Sequence, residues 1–379
     1  MRIGLIMPGF SADEEDWCIP VLLNLVRELA RRHEVHIFTL RYPPHSGTYE
    51  VYGATVHAFG GGTTAGFQRL PLLGWALITI LGQAHRHSFD ILHGFWADEP
   101  GFLAVTAGRL GRIPAMVSLS GGELIGLPDI GYGSQLSRLN RHLIRLALSR
   151  AAYVTVGSNY MYRLARPQVG SDRLVLMPLG VDTVLFHPNG KGANPSPLIE
   201  GTIKLLHVAS LASVKDQITL LRALAMVVRS MPEVHLHITG EGSLRCDLEK
   251  LAEAFDVRTF VTFHGVVPHD RLPDYYRAAD LCVLSSRHES QAMVILEAAA
   301  CARATVGTAV GILPDLEQAG RTVPVGDAPA LTRAIMCLLR HPAKRAAMGH
   351  TARSLIENSY SLKDTVAMLQ RLYAELAAQ

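Results

Sequence analysis

Residues 203–240 read IKLLHVASLASVKDQITLLRALAMVVRSMPEVHLHITG, with two short apolar runs on either side of a longer helical pattern. The runs 203–211 and 234–240 have the length and the aliphatic content of strands, whereas 218–230 repeats apolar residues at helical spacing. A strand, a helix and a second strand in this order predict two parallel strands, because a parallel connection must cross one face of the sheet.

The same alternation extends outward through almost the whole chain. It predicts an α/β fold with two Rossmann-like, doubly wound parallel sheets. A segment with three prolines and three glycines, 186–202, interrupts it and is the predicted linker. We therefore predict domains at 1–185 and 203–357 and a final helix at 358–379. Strands are predicted at 2–7, 34–40, 54–59, 90–95, 114–120, 153–157 and 174–180 in the first domain, and at 203–211, 234–240, 261–266, 281–286 and 304–311 in the second.

Composition limits the classes of function. The 379 residues are 49% hydrophobic and carry a net charge of +3, which does not indicate a nucleic-acid partner. The five cysteines are scattered, as expected in a reducing compartment. The longest uncharged apolar run, 70–84, falls short of the ~20 residues that span a bilayer. The first residues lack the features of a signal peptide, so we expect a cytoplasmic protein.

The stretch 285–302, SSRHESQAMVILEAAACA, contains the residues that indicate a ligand-binding site. A predicted strand ends near Ser285, and a helix is expected to start near Gln291, so the loop between them lies at the ligand-binding edge of a parallel sheet. The first-turn N–H groups of Ala292, Met293 and Val294 then favour an anion such as a diphosphate.

Two glutamates belong to this stretch, and Glu297 falls within an apolar helix. A buried carboxylate needs a partner. On one continuous helix Glu289 and Glu297 would be about 80° and roughly 12 Å apart, on broadly the same side. A ligand in which a diphosphate joins two sugars would offer sugar hydroxyl groups to both carboxylates.

The segment ESQAMVILE resembles the E-x7-E element of the family 4 retaining glycosyltransferases, which have the GT-B fold of two facing Rossmann domains with a cleft between them. HVASLASVKDQ, HITGEGSLRCDL and VTFHGVVPHDRLPDYYRAAD follow the family's order and spacing, and the resemblance covers essentially the whole chain.

The resemblance implies transfer of a hexose from a UDP- or GDP-linked sugar to a hydroxyl acceptor, with no metal and no other cofactor. It implies that Glu289 is catalytic and faces the donor sugar, and that Glu297 holds the ribose diol. It also implies that Lys215 contacts the diphosphate and that the backbone of Val266 pairs with the nucleobase.

Three positions depart from the family pattern. Ser210 stands where the family usually has an arginine partner for the lysine, and Asp16–Trp17 stand where it has a glycine pair. Ser120 replaces the family's histidine near the transferred sugar, although Gly121 follows as expected. We expect Trp17, Ser120 and Gly121, together with His93 at a strand end, on the acceptor or donor-sugar side.

Simpler structural roles remain open for several of these residues. Lys215 is also compatible with an ordinary loop lysine, Trp17 and His93 with packing, and Glu297 with a solvated helix face. The helical stretch 134–150 sets four arginines beside leucines, either as a face for the inner membrane surface or as a solvated face over packed leucines. The seventeen histidines show no metal-binding spacing.

Two other functions fit the same pattern. A sugar-nucleotide epimerase or hydrolase would use the same donor without an acceptor. A non-catalytic sugar-nucleotide-binding protein would account for the departures at Ser210 and Ser120.

Overall fold

The computed structural model describes residues 1–64, 66–190, 196–198 and 202–378. The chain forms two compact units, one of Met1–Pro178 with Leu362–Gln379 and one of Leu179–Ser361. The boundaries therefore fall at 178/179 and 361/362 and not at the predicted 185 and 357. Part of the predicted linker, 191–195 and 199–201, lies outside the described residues.

The first unit contains an eight-stranded sheet in the order β3-β4-β2-β1-β5-β6-β7-β8. Its strands are parallel except for β3, which pairs antiparallel with β4. The strands are β1 Arg2–Gly9, β2 Glu34–Tyr42, β3 Ser46–Val51, β4 Ala54–Phe59, β5 Ile91–Phe95, β6 Ala115–Leu119, β7 Tyr153–Val156 and β8 Leu174–Leu176. Sequence reasoning missed β3, because SGTYEV is an edge strand that is mostly exposed and has little apolar content.

Helices cover this sheet and bury an aliphatic and aromatic core. The helices are α1 Pro20–Ala30, α2 Leu70–His87, α3 Glu99–Gly111, α4 Arg138–Arg150, α5 Asn159–Ala165 and, last in the chain, α12 Leu362–Ala377. The core includes Ile6, Phe38, Leu92, Val117 and Val154 from five neighbouring strands. Near-continuous burial of these strands is typical of a parallel sheet covered on both faces.

The last helix belongs to the first unit and begins at Leu362, four residues after the predicted start. Its Tyr373 is fully buried, and the Tyr373 hydroxyl lies 2.7 Å from Nδ1 of His93 in the middle of the sheet. Thr365 Oγ1 donates to the carbonyl of Pro178 at 2.9 Å. These contacts attach the end of the chain to the unit that contains its beginning.

The second unit contains a six-stranded, all-parallel sheet in the order β11-β10-β9-β12-β13-β14. The strands are β9 Ile203–Val208, β10 Val234–Thr239, β11 Val261–Gly265, β12 Leu281–Leu284, β13 Thr305–Thr308 and β14 Gly320–Val323. The helices are α6 Gln217–Val228, α7 Arg245–Ala254, α8 Leu272–Ala278, α9 Met293–Ala300, α10 Ala328–Leu339 and α11 Pro342–Ser359. Among the six strands, β14, the short edge strand GRTV, was absent from the prediction.

The predicted linker begins with a core residue of the second unit. Phe186 is fully buried, and its ring lies 5.0 Å from that of His269 and 6.0 Å from that of Tyr276 between centroids. The prolines and glycines that suggested a linker follow Phe186, and the predicted segment 186–202 falls within the second unit, which begins at Leu179.

Candidate functional site

The strand order of the second sheet places a binding edge between β9 and β12. From β9 the chain runs outward to β10 and β11 and then returns to pair β12 with the other side of β9. In open parallel sheets, ligands bind outside the carboxyl ends of the strands at such a reversal. The loops that follow β9 and β12 contain Lys215 and Glu289.

Lys215 and Glu289 form an ion pair at this edge. Lys215 Nζ lies 2.6 Å from Glu289 Oε1, and the two side chains are only 22% and 12% exposed. Ser286 Oγ donates to the same carboxylate oxygen at 2.6 Å. The Glu289 carboxylate is thus held by a cation and a hydroxyl on one side.

Two further hydroxyls fix the loops themselves. Ser285 Oγ donates to the Lys215 carbonyl at 2.7 Å, which joins the loop after β12 to the loop after β9. Thr308 Oγ1, at the end of β13, donates to the Ser286 carbonyl at 2.6 Å. Sequence reasoning did not identify these serines and the threonine as supporting residues, although both serines stand in the stretch that drew attention.

Helix α9 starts later than predicted. Ala292 precedes the helix with φ +70°, and Met293 is the first helical residue. The first helical N–H groups at this edge belong to Met293 and Val294, and Ala292 is the capping residue. The predicted 80° angle between the glutamates is wrong, because Glu289 lies in the loop and Ala292 breaks the helical phase.

Gly311 packs directly behind Glu289. Its φ is +58°, and a Cβ there would lie 2.7 Å from the Gln291 carbonyl oxygen and 3.0 Å from Glu289 Cβ. The Gln291 side chain accepts from Leu179 N at 2.9 Å and donates to Leu179 O at 2.6 Å. The backbone on both sides of Glu289 is therefore closely fitted.

Glu297 is buried, and its partners belong to the protein. Tyr276 OH donates to Glu297 Oε2 at 2.8 Å, and His269 Nε2 lies 3.1 Å from Oε1. The Glu297 side chain is 8% exposed, which excludes the solvated-face alternative. Burial and the Glu297 charge raise the pKa of Tyr276 well above its ordinary value, so the phenol stays a donor. Sequence reasoning missed Tyr276 and His269, which come from other elements.

Two predicted donor contacts follow β9 and β11, which lie on either side of β10. Ser210 follows β9 and is exposed, and its carbonyl accepts from Gln217 Nε2 at 3.0 Å. Val266 follows β11 and is 75% exposed. Both therefore lie at the carboxyl edge of the sheet, with Ser210 supplying no charge.

A buried histidine contacts Gln217, which follows the loop that contains Lys215. His207 on β9 is fully buried, with Nδ1 2.9 Å from the Val283 carbonyl oxygen and Nε2 3.3 Å from Gln217 Nε2. Burial lowers the pKa of His207 to about 4, so the ring is neutral at physiological pH.

In the first unit the structure excludes an acceptor contact for His93. The ring is fully buried in β5, with Nδ1 at Tyr373 OH and Nε2 2.8 Å from Ser118 Oγ. Burial lowers the pKa of His93 to about 3. The proposed contact with acceptor is wrong, because a residue in the middle of a covered strand cannot reach a substrate.

The loop after β6 is organised by Glu123, which is fully buried. Its carboxylate accepts from the N–H groups of Ser120 at 2.9 Å and Gly121 at 2.7 Å. A Cβ at Gly121 would lie 2.7 Å from Trp96 Nε1, so glycine is required there by packing. Trp17 lies half-buried between β1 and α1.

The stretch 134–150 contains α4, and its leucines and arginines separate. Leu143 and Leu148 are buried, whereas Arg138, Arg141, Arg145 and Arg150 are exposed. This arrangement is that of a helix packed through its apolar face. Within the described residues, no helix combines the length and the hydropathy needed to cross a bilayer.

Comparisons with known proteins agree with this architecture. Residues 20–185 match the family model Glycosyltransferase Family 4, and residues 202–341 match the model Glycosyl transferases group 1. N-acetyl-alpha-D-glucosaminyl L-malate synthase of Bacillus anthracis is 26% identical over 372 residues, covering 93% of this chain and 92% of that enzyme.

Two solved structures share the fold. Sucrose-phosphate synthase of Thermosynechococcus elongatus superposes with a TM-score of 0.85 at 22% identity, covering 100% of this chain and 99% of that one. Anabaena HepE in complex with UDP-glucose gives a TM-score of 0.78 at 16% identity, covering 99% and 100%. The chain belongs to the family 4, group 1 glycosyltransferases and has their GT-B fold.

Proposed function

We propose that this glycosyltransferase moves a hexose from a nucleoside-diphosphate sugar to a hydroxyl acceptor with retention of anomeric configuration and without a metal in the reaction. The observation that carries the proposal is the Lys215–Glu289 pair, 2.6 Å apart at the point where the strand order of the second sheet reverses. A cation, a carboxylate and helical N–H groups meet there.

The donor diphosphate binds between Lys215 and the amino end of α9. The N–H groups of Met293 and Val294 supply hydrogen bonds and the positive end of the helix dipole. Lys215 supplies the full charge that neutralises the departing diphosphate, and this is where charge develops as the glycosidic bond breaks. These groups take the place of a metal ion.

Glu289 faces the donor sugar and stabilises positive charge at its anomeric carbon. As the bond from that carbon to the diphosphate breaks, the acceptor oxygen bonds to the carbon and the hydroxyl proton passes to the departing diphosphate oxygen. Lys215 pairs with Glu289 in the unliganded protein, and diphosphate binding draws the lysine partly away. The negative charge of the Glu289 carboxylate is then less neutralised when the sugar becomes cationic.

Glu297 holds the ribose through the oxygen lone pairs that Tyr276 and His269 leave free. Each carboxylate oxygen can accept two hydrogen bonds, and one partner already occupies each. The exposed backbone near Val266 contacts the nucleobase. The UDP-glucose complex of Anabaena HepE, which has the same fold, supports a uridine donor among the alternatives.

On the acceptor side, Trp17, Ser120 and Gly121 are the proposed contacts in the first unit. The enzyme works in the cytoplasm, and the exposed arginines of α4 would bring it to an anionic inner membrane surface. The packed leucines of α4 support the alternative in which this helix only covers the sheet.

The test is a donor panel of UDP-N-acetylglucosamine, UDP-glucose and GDP-mannose, with and without L-malate, followed by release of nucleoside diphosphate. L-malate is the acceptor in the name of the Bacillus anthracis relative. Release that depends on an acceptor, with an α-linked product by NMR from an α-linked donor, supports the proposal. Release of nucleoside diphosphate without an acceptor would instead indicate a hydrolase, and a new sugar nucleotide formed without an acceptor would indicate an epimerase.

A second candidate function is sugar-nucleotide binding without turnover. It is favoured by Ser210, which is exposed at the phosphate edge and brings no charge where the family usually has an arginine. Nucleotide binding without release of diphosphate from any donor, across a wider set of hydroxyl acceptors, would support it.

A further inference from the structure

A group of imidazoles and a carboxylate lies in the first unit, apart from the loops assigned to the reaction. Glu34 and His36 are on β2, and two-residue spacing places them on the same face of the strand. His87 is the last residue of α2, and Ser88 turns the chain away with φ +51°. The three residues are thus brought together by the packing of α2 beside the start of β2.

The three side chains present one ligand atom each to a common point. Glu34 Oε1 lies 3.2 Å from His36 Nε2 and 2.9 Å from His87 Nδ1, and all three atoms lie within 4.8 Å of one another. Ligands of tetrahedral zinc at about 2.0–2.1 Å from the ion are themselves roughly 3.3 Å apart. The two distances from Glu34 Oε1 are close to that spacing.

A second layer of contacts orients the ligands. His36 Nδ1 lies 3.2 Å from His57 Nε2, and His57 Nδ1 lies 3.4 Å from Thr48 Oγ1. A proton on His36 Nδ1 donated to His57 leaves His36 Nε2 with a free lone pair directed at the cluster. Metal-binding histidines are usually fixed in this way through their other nitrogen.

Arg2 contacts two of the three ligands from outside. Its Nε lies 3.5 Å from Glu34 Oε2, and its Nη1 donates to the His87 carbonyl at 2.9 Å. The guanidinium therefore turns Oε1 of Glu34 toward the imidazoles and holds the end of α2 in place. Its positive charge also opposes a cation, which sets an upper limit on the affinity of the site.

We propose that Glu34, His36 and His87 bind one Zn²⁺ ion, with water in the fourth position. The ion would tie the end of α2 to the start of β2, and the glycosyl transfer does not use it. The proposal departs from the expectation of no metal site, which rested on local spacing. His87 stands 53 positions from Glu34, beyond any local motif.

The experiment is calorimetric titration of ZnCl2 into the chelator-treated full chain, compared with the variants His87→Ala and His85→Ala. His85 lies on the same helical end, is exposed and is outside the cluster, so it is the matched control. We expect one site of micromolar affinity or better, at least a tenfold loss in His87→Ala, and no change in His85→Ala. Co²⁺ should give the intense visible absorption of tetrahedral coordination in the wild type and not in His87→Ala.

Equal zinc affinity in the wild type and His87→Ala would overturn the proposal, because the ion would then be held by scattered surface histidines. Absence of a saturable single site in the wild type would overturn it as well. If His87→Ala unfolds without metal, Glu34→Gln serves as the second variant, since it keeps the size of the side chain while removing the anionic ligand.

Discussion

Lys215 and Glu289, to which the resemblance assigns separate contacts with diphosphate and sugar, are bound to each other at 2.6 Å across 74 positions of sequence. The pair is mostly buried, and separating it leaves each charge poorly solvated. In the proposed mechanism the two residues are therefore coupled, because a diphosphate that attracts the Lys215 ammonium also changes the electrostatic potential at the Glu289 carboxylate.

Replacing Glu289 tests this coupling first. Glu289→Ala should lower turnover at least tenfold, because the charge facing the anomeric carbon is lost, while affinity for the nucleoside diphosphate is retained or increases, because Lys215 is released. Steady-state kinetics and calorimetry measure the two quantities. Glu249→Gln, which breaks a more exposed ion pair with Arg245, is the control. Unaltered turnover in Glu289→Ala would eliminate the assigned role.

Replacing Lys215 should act on binding. Lys215→Met keeps the length and the apolar stem but removes the charge, so we expect nucleoside diphosphate affinity to fall by about tenfold or more, the scale of one charge-assisted contact. Lys250→Met on the exposed face of α7 removes the same charge elsewhere and should leave the dissociation constant unchanged. Equal affinities in the two variants would contradict a diphosphate contact by Lys215.

Replacing Glu297 should cost stability as well as nucleotide affinity. Glu297→Ala removes the acceptor of two buried donors, Tyr276 OH and His269 Nε2, and the unfolding free energy should fall by about 2–4 kcal/mol. Urea unfolding of the variant measures the loss, with the exposed Glu253→Ala as control. A loss below the experimental error would mean that the two donors find other acceptors.

Gly311 tests the packing behind the Glu289 carboxylate. Gly311→Ala should be destabilising by roughly 1 kcal/mol or more beyond Gly326→Ala, because both positions have positive φ but only Gly311 meets neighbouring atoms. The added methyl group presses on Glu289 Cβ, so turnover should fall too. Equal losses in the two variants, by urea unfolding, would show that backbone strain is the whole effect.

The buried His207 predicts a pH dependence. Its pKa is lowered to about 4 from an ordinary 6.5, so the unfolded chain binds one more proton between these values. The stability that this neutral histidine allows is therefore complete above about pH 6.5 and is lost as the pH falls toward 4. His207→Asn, which keeps a donor toward the Val283 carbonyl, should show a shallower fall of Tm over this range.

The control for that comparison is His85→Asn, since His85 is exposed. Carboxylates titrate over the same range in every variant, so the difference between the curves isolates the histidine. Parallel curves for the wild type and His207→Asn would mean that His207 takes up a proton without unfolding.

The sheets were predictable from sequence because parallel strands are buried on both faces and read as short apolar runs. The two missed strands, β3 and β14, are edge strands in which exposed residues obscure that pattern. The sequence pattern drew attention to Glu289 and Glu297, and the family resemblance implied Lys215. The structure brings Lys215 and Glu289 together, and the roles of all three residues stay predictions.

Partners from distant elements could not be predicted, because tertiary packing determines them. Nothing near Glu297 in the sequence indicates Tyr276 and His269 as its partners. Ala292 has a positive φ, which its side chain does not indicate. For this reason α9 starts at Met293 and not near Gln291, and the predicted angle between the glutamates is wrong. His93 illustrates the reverse error, since a polar residue in a strand was assigned to a substrate although hydrogen bonds hold it in the core.

The most direct test of the donor site is thermal unfolding of the wild type and Lys215→Met with UDP, GDP, ADP, CMP and NAD in turn. A ligand at a hundred times its dissociation constant adds about 2.7 kcal/mol of stability, enough for a clear shift. The account predicts that a nucleoside diphosphate raises Tm of the wild type and raises Tm of Lys215→Met much less. If none of the diphosphates shifts the wild type, or if both proteins shift equally, the assignment of the donor site to Lys215 and Glu289 is contradicted.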